Sequence, residues 1–389
     1  MKATELDHSP CGHLVTTYRG EKAFVPDPLP RTIDFSTSLV TQLDRASRAA
    51  AMLAGIGETL PNPHLLIRPF LRKEAVLSSM IEGTQTSISD LFLYEASGTK
   101  RDPRGDAREV ANYVRAMEQG LERLETLPLS VRLFNEIHGV LMEGVRGKEM
   151  RPGELRTEQV WIGAEGTTIG EAHFVPPPAE SVRDLLLDLE RFVNEDPEMP
   201  PLIQCALMHY QFETIHPYFD GNGRIGRLLI VLFLCAKKVL PTPLLYLSAY
   251  LERNREAYYR HLYRVSATGN WEDWLSFFLM GVEEQSQDAI VRSRRLRDLQ
   301  ARYRQDLQQQ RASGNALRLL DMLFEQPFVT PGAAARALDL TWAGAKGVLE
   351  RLRSAGVIDV WPAKGSLMYV ARDLLRTIDV PTASSLPAS

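Results

Sequence analysis

Residues 228–236 read LLIVLFLCA, an apolar run without a break that stops at Lys237 and Lys238. A helix that is apolar all round has no face to give to water and must be buried on every side. Crossing a bilayer takes about 20 such residues, so the run is too short for that and predicts a helix at the centre of a globular core. The residues that lead into it, HPYFDGNGRIGR (216–227), are crowded with polar groups: a His, an acid, an Asn between two glycines, and two arginines, in a chain with only 8 His among 389 residues. A buried helix entered through that loop would cover everything except the arginines.

The rest of the chain reads mostly as amphipathic helix. AFVPDPLPRTIDF is an extended, Pro-rich arm leading into the helix TSLVTQLDRASRAAAMLAGIG. PNPHLLIRPFLRKEAVLSSMIEG follows, with Pro69 suited to a helix start and Gly83 to a helix end. Residues 97–106 read as a loop, and helices are expected over 107–127, 129–145, 179–196, 201–215, 224–238, 247–264 and 271–284. Between them VWIGAEGTTIGEAHFVPPP has short β-prone pieces around a Gly/Thr-rich turn, so 150–178 is expected to project as a β-hairpin. Residues 285–311 are rich in Arg and Gln, with a narrow stripe of Leu296, Leu299, Tyr303 and Leu307, and read as an exposed connector helix. From 314 to 376 a helix, the short helix PGAAARAL, a tight turn, the helix TWAGAKGVLERLRSAG and a small hairpin suggest a winged helix-turn-helix.

Composition restricts the function classes. The net charge of −4 excludes a protein built mainly to coat nucleic acid or an anionic membrane. No apolar segment followed by a small-residue cleavage site is visible at the N-terminus, and a cytoplasmic location is expected. Cys11, Cys205 and Cys235 form no disulfide framework. His8, Cys11 and His13 lack a second ligand pair, so a frayed terminus is expected rather than a metal site.

The loop has parts for phosphate chemistry. A helix N-terminus offers unpaired N–H groups and the positive end of a dipole. Gly221 and Gly223 let main-chain N–H groups approach an anion, and Asn222 adds a side-chain donor. Arg224 and Arg227, three apart, can each clamp a phosphate. Asp220 is a hard oxygen ligand of the kind that Mg²⁺ takes beside phosphates. His216 can serve as a general base.

HPYFDGNGRIGR resembles the Fic family signature, His-Pro-Phe-x-Asp/Glu-Gly-Asn-Gly-Arg-x-x-Arg, with Tyr218 where Phe is usual. The resemblance implies an all-α fold, here a Fic helical domain with a β-hairpin flap and a C-terminal winged helix. It implies transfer of AMP from ATP to a Ser, Thr or Tyr hydroxyl of a target protein. His216 would be the base for that hydroxyl and Asp220 the Mg²⁺ ligand. Gly221, Asn222 and Gly223 would hold the α- and β-phosphates, Arg224 the β-phosphate and Arg227 the γ-phosphate. Kinases of the Doc type replace the Gly-Arg part, which this chain keeps. The hairpin resembles the family's flap, so Val160, Trp161, Ile162 and Gly163 would align the target by strand addition. YLERNREAYY (250–259) resembles a downstream helix that places Asn254 and Tyr259 near the nucleotide.

SSMIEG (78–83) resembles the family's inhibitory motif, Ser/Thr-x-x-x-Glu-Gly/Asn. The resemblance implies that Glu82, with Ser78 one turn earlier, pairs with Arg227 and takes the γ-phosphate site; in some relatives the same Glu also positions water for removal of AMP. On this reading 1–100 is an N-terminal region with an inhibitory helix, 101–285 the catalytic domain, 286–313 a connector, 314–376 the winged helix and 377–389 a disordered tail. Residues 314–376 carry eight Lys/Arg against six Asp/Glu, a weak balance for a DNA reader. A DNA-binding regulator with a nucleotide-sensing Fic domain stays open as the alternative, and a homodimer is compatible with the resemblance.

Overall fold

The computed structural model describes residues 3–59, 64–97, 105–145, 151–164, 166–195, 198–362 and 367–379. The predicted central helix is there: α9, Asn222–Ala236, is buried from Ile225 to Leu234. It packs beside α8, Pro201–Ile215, buried almost throughout and started by Pro201 at its first position, where a missing N–H costs nothing. Each Leu, Ile or Val buried here contributes about 1.5–3 kcal/mol, so two helices buried almost throughout fix the centre of the domain.

Around this pair lie the helices α2 (Thr37–Thr59), α3 (His64–Ile81), α4 (Ile88–Ser97), α5 (Asp106–Arg123), α6 (Val131–Leu141) and α7 (Ala179–Asn194). They follow α1 (Ala3–Leu6), β1 (Gly12–Thr16) and β2 (Lys22–Pro26). After α9 come α10 (Ser248–Arg253), α11 (Arg255–Thr268) and α12 (Trp271–Gln309). The chain described ends with α13 (Gly314–Glu325), β3 (Phe328–Val329), α14 (Pro331–Leu338), α15 (Trp342–Ser354), β4 (Asp359–Trp361), β5 (Met368–Val370) and α16 (Arg372–Asp379). Two small antiparallel sheets, β1–β2 and β3–β5–β4, accompany the helices.

Several expectations are corrected. Pro69 lies inside α3, in its second turn, where burial of Phe70 and Leu71 outweighs one lost main-chain bond. The N-terminal arm is a hairpin with Gly12 opposite Pro26, and its start is tied down, Ser9 donating to the Ser266 carbonyl at 2.5 Å, so the frayed terminus is not found. The connector is no separate or exposed element: α12 runs unbroken through 285, and Ala289, Ile290, Leu296, Tyr303 and Leu307 are buried against neighbouring helices. The helix expected over 247–264 breaks at Asn254. Residues 377–379 are helical, in α16, and the remainder of the expected tail lies outside the described residues.

This architecture sets α3 between two bodies. One side faces the centre, where the buried Glu74 carboxylate accepts from the Ser248 hydroxyl at 2.5 Å and its N–H at 3.1 Å. The other side meets α13 and α16, with Arg68 and Glu325 paired at 2.7 Å.

Candidate active site

The loop 216–221 is held by its own side chains. α8 ends on His216, whose left-handed backbone (φ 50°, ψ 63°) turns the chain out of the helix. Asn222 then closes the loop: its Oδ1 accepts from the Tyr218 N–H and its Nδ2 donates to the Tyr218 carbonyl, both at 2.8 Å. The Asn222 amide is thus buried and closes the loop, one Nδ2–H on the Tyr218 carbonyl, and its main chain stands at the start of α9. Gly221 has φ 76°, and a Cβ there would press on Met142 Sδ at 3.1 Å.

Tyr218 is buried and stacks on His138, ring centroids 3.7 Å apart. Its hydroxyl, absent from the usual Phe, donates to Asn135 Oδ1 at 2.8 Å. Tyr218→Phe is expected to cost about 1 kcal/mol, read as a lower denaturant midpoint with an unchanged slope. His138 accepts from the Gly153 N–H on Nδ1 at 2.9 Å, so its Nε2–H faces the Asp220 carbonyl at 3.1 Å. Burial lowers its pKa to about 4, which keeps it neutral as a structural link.

Both arginines are buried, contrary to the expectation that they project from the surface, because Glu82 just after α3 and Glu109 on α5 cover them. Arg227 donates from Nη2 to Glu82 Oε1 at 2.7 Å and to the Ser78 carbonyl at 2.9 Å, and from Nε to Ser78 Oγ at 2.9 Å. Arg224 pairs with Glu109 on α5, and its Nη2 lies 3.5 Å from Asp220 Oδ2. Glu82 follows the end of α3 and precedes Gly83, at φ 95°, where the chain reverses. Its carboxylate lies over the first turn of α9: a Cβ on Gly223 would come within 2.2 Å of Glu82 Oε1. An acid of the chain itself therefore sits on the helix N-terminus where an anion would bind. Burial works to raise the Glu82 pKa, but the Arg227 charge and hydrogen bond outweigh it and hold it below the usual carboxylate range.

His216 stands beside this cluster. Burial first, then the Arg156 charge, lowers its pKa to about 4, so the imidazole is neutral near pH 7 and able to accept a proton. Its Nδ1 is buried with no hydrogen-bond partner. The Asp220 side chain is 48% exposed, with Oδ1 accepting from the Gly221 N–H at 2.6 Å. Among the described residues no group of three or more ligating side chains forms a metal cage. A lone exposed carboxylate beside an anion site fits Mg²⁺, which binds through one or two carboxylates plus phosphate oxygens and water.

The flap is less regular than expected. Among the described residues its strand pairing is one bridge, Ile162 to Phe174, with a 3-10 turn at Ile169–Glu171 between them. Val160 and Ile162 are half-buried, while Trp161 and Gly163 are exposed, with Trp161 Nε1 donating to the Thr167 carbonyl at 3.0 Å. Glycines, three prolines and the Phe174–Phe24 contact with β2 favour this compact loop over a ladder. Asn254 joins α10 to α11 and spends its amide on the Tyr250 carbonyl at 2.9 Å. Tyr259 is partly exposed, and the Glu82 and Arg227 charges act on its phenol. The sequence reading missed Glu109, His138, Asn135 and Arg156. Glu109 looks like an ordinary first-turn acid favoured by the helix dipole, and only the fold brings it to Arg224.

Residues 40–122 match the Fic/DOC family N-terminal model, and residues 128–234 match the Fic/DOC family model. The chain is 34% identical over 84 residues to the protein adenylyltransferase fic-1 of Caenorhabditis briggsae, covering 21% of this chain and 15% of that one. It is 24% identical over 206 residues to a probable protein adenylyltransferase of Aquifex aeolicus, covering 50% and 58%. The chain thus spans less than two thirds of the length of these curated relatives. Among solved structures, a Fic family protein from Desulfovibrio desulfuricans superposes with a TM-score of 0.56 at 20% identity, covering 87% of this chain and 97% of that one. Residues 134–508 of Fic-1 from C. elegans superpose with a TM-score of 0.51 at 22% identity, covering 65% and 74%. The folds therefore agree, and the signature loop, most of the helix behind it and the N-terminal helices beside its arginines lie within the two stretches that match Fic/DOC family models.

Proposed function

We propose that the chain is an autoinhibited protein adenylyltransferase that moves AMP from ATP to a Ser, Thr or Tyr hydroxyl of a target protein and of itself. The observation that carries this reading is the Glu82 carboxylate lying on Arg227 and over the first turn of α9, the place an ATP phosphate would need. In the reaction the target hydroxyl attacks the α-phosphorus, its proton passes to His216, and the bond to pyrophosphate breaks. The main-chain N–H groups at Gly221–Gly223, with Arg224 and Arg227, would bind the triphosphate and offset its developing charge. Asp220 would hold Mg²⁺, an ion that supplies further charge neutralisation when bound. Val160–Gly163 would align the target segment. ATP labelled on the α-phosphate and, in parallel, on the γ-phosphate tests the reading: protein labelled from the γ-position alone would mean a kinase.

Glu109 extends the inhibition proposal to the second arginine. Glu109→Gln removes a negative charge from Arg224 while keeping a hydrogen-bonding side chain. ATP affinity is expected to rise about tenfold, equivalent to roughly 1.4 kcal/mol, measured by equilibrium binding of ATP.

For residues 314–376 we propose a winged helix-turn-helix. Thr330 and Thr341 cap α14 and α15 through their hydroxyls, Asp339 makes the turn between them in a left-handed conformation, and β4–β5 forms the wing. Its packing on α3 and α4 supports a role as a scaffold within the chain.

A further inference from the structure

We infer that Arg156 is a positioning residue that locks His216 and both roots of the flap into one unit. This rests on the reading of His216 as the base and extends it to a residue outside the loop.

Arg156 is 2% exposed, and the hydrogen-bond partners of its guanidinium are main-chain carbonyls rather than carboxylates. Nε donates to the His216 carbonyl at 2.8 Å, and Nη2 reaches the Ile215 carbonyl at 3.4 Å. Nη1 donates to the Glu158 carbonyl at 3.1 Å, where the flap begins, and Nη2 to the Pro177 carbonyl at 2.5 Å, where it returns. The Arg156 main-chain N–H donates to the Pro217 carbonyl at 2.9 Å. Gln159 repeats the tie between the roots, donating to the Pro176 carbonyl at 2.9 Å.

Carbonyls at a helix C-terminus have no intrahelical partners and carry the negative end of the dipole, so a cation with a rigid fork of donors suits them. His216 has a left-handed backbone, and a non-Gly residue keeps that conformation only where its surroundings over-determine it. Arg156 supplies that constraint, and it ties the segment that would align the target to the group that would take the target's proton. Its charge also reaches the imidazole. The charged and titratable groups facing His216 are Arg156 from the 151–158 loop, which disfavours the imidazolium, and Glu82 after α3 and Asp220 in the loop, which favour it. Glu213, on α8, also lies near, and burial pushes its carboxyl up to about 7.

Two variants separate positioning from support. Arg156→Lys keeps the charge and loses the fork; Arg156→Gln loses the charge. With α-labelled ATP and Mg²⁺, adding Arg156→Lys to Glu82→Gly is expected to slow self-labelling about 100-fold, with the ATP dissociation constant unchanged. In Arg156→Gln, without other changes, the NMR titration of the His216 ring is expected to move to higher pH, while in Arg156→Lys it stays in place. A merely structural arginine would lower the melting temperature without this split. Labelling at the parent rate in Arg156→Lys, or an unmoved His216 titration in folded Arg156→Gln, would overturn the inference. If Arg156→Gln does not fold, the Arg156→Lys rate at unchanged ATP affinity decides. If the Glu82→Gly parent itself takes no label, the reading of the reaction falls, and the titration alone judges Arg156.

Discussion

Glu82→Gly is expected to raise self-labelling from α-labelled ATP by about 10- to 100-fold, since a hydrogen bond to a charged group is worth roughly 1.5–3 kcal/mol and each 1.4 kcal/mol is a decade. The substitution removes the acid that holds Arg227 and lies over Gly223. It does not orphan the arginine, because the two hydrogen bonds to Ser78 remain. The position also tolerates the change: an acid beyond a helix C-terminus opposes the dipole, and the side chain is 33% exposed. The gain should appear in the rate, with some loss of stability beside it, because Arg227 stays buried without its carboxylate. Acid should not mimic the variant. The Glu82 pKa lies below its unfolded value, so the pair is fully formed above the ordinary value of 4.5 and is lost only as pH falls through the lowered one. By then His216, with a pKa of about 4, is itself taking up a proton. Equal labelling of Glu82→Gly and the unaltered chain would sink the inhibitory assignment.

How far the sequence reveals this site follows from how local each signal is. α9 and its loop are legible because an unbroken apolar run leaves one option, burial, and because glycines and charges at a helix start have few other uses. Glu82 is legible through its spacing from Ser78 and its place before Gly83. Asn222 is only half legible, since an Asn between glycines does not show that its amide closes the loop on Tyr218. The arginines mislead for a related reason: periodicity gives the face they share but not that α3 and α5 bring acids to cover it. Arg156 and Glu109 carry no pattern at all, since the groups they hold in the loop, the His216 carbonyl and Arg224, lie 60 and 115 positions away. The compact flap and the unbroken α12 depend on packing against β2 and α2, which no local composition encodes.

His216→Ala, placed in the Glu82→Gly background, is expected to cut labelling by about 10²- to 10⁴-fold, the usual worth of a positioned base, while ATP binding stays as in the parent. The background matters, because in the unaltered chain Glu82 would hide the loss. The pH dependence gives a second reading of the same group. The folded pKa of His216, about 4, lies below its ordinary 6.5. The neutral base is therefore present across the neutral range, and labelling should be flat there and fall only as pH drops toward the folded value. Stability moves earlier: an unfolded His takes up its proton near 6.5 and the folded one resists, so acid favours unfolding from that point downward. His138 and His209, lowered to about 4 and about 3, add to the same slope. Activity lost in step with unfolding would therefore not identify the base. A labelling rate that titrates near 4 in protein still folded would, and labelling that persists in His216→Ala would remove His216 from the chemistry.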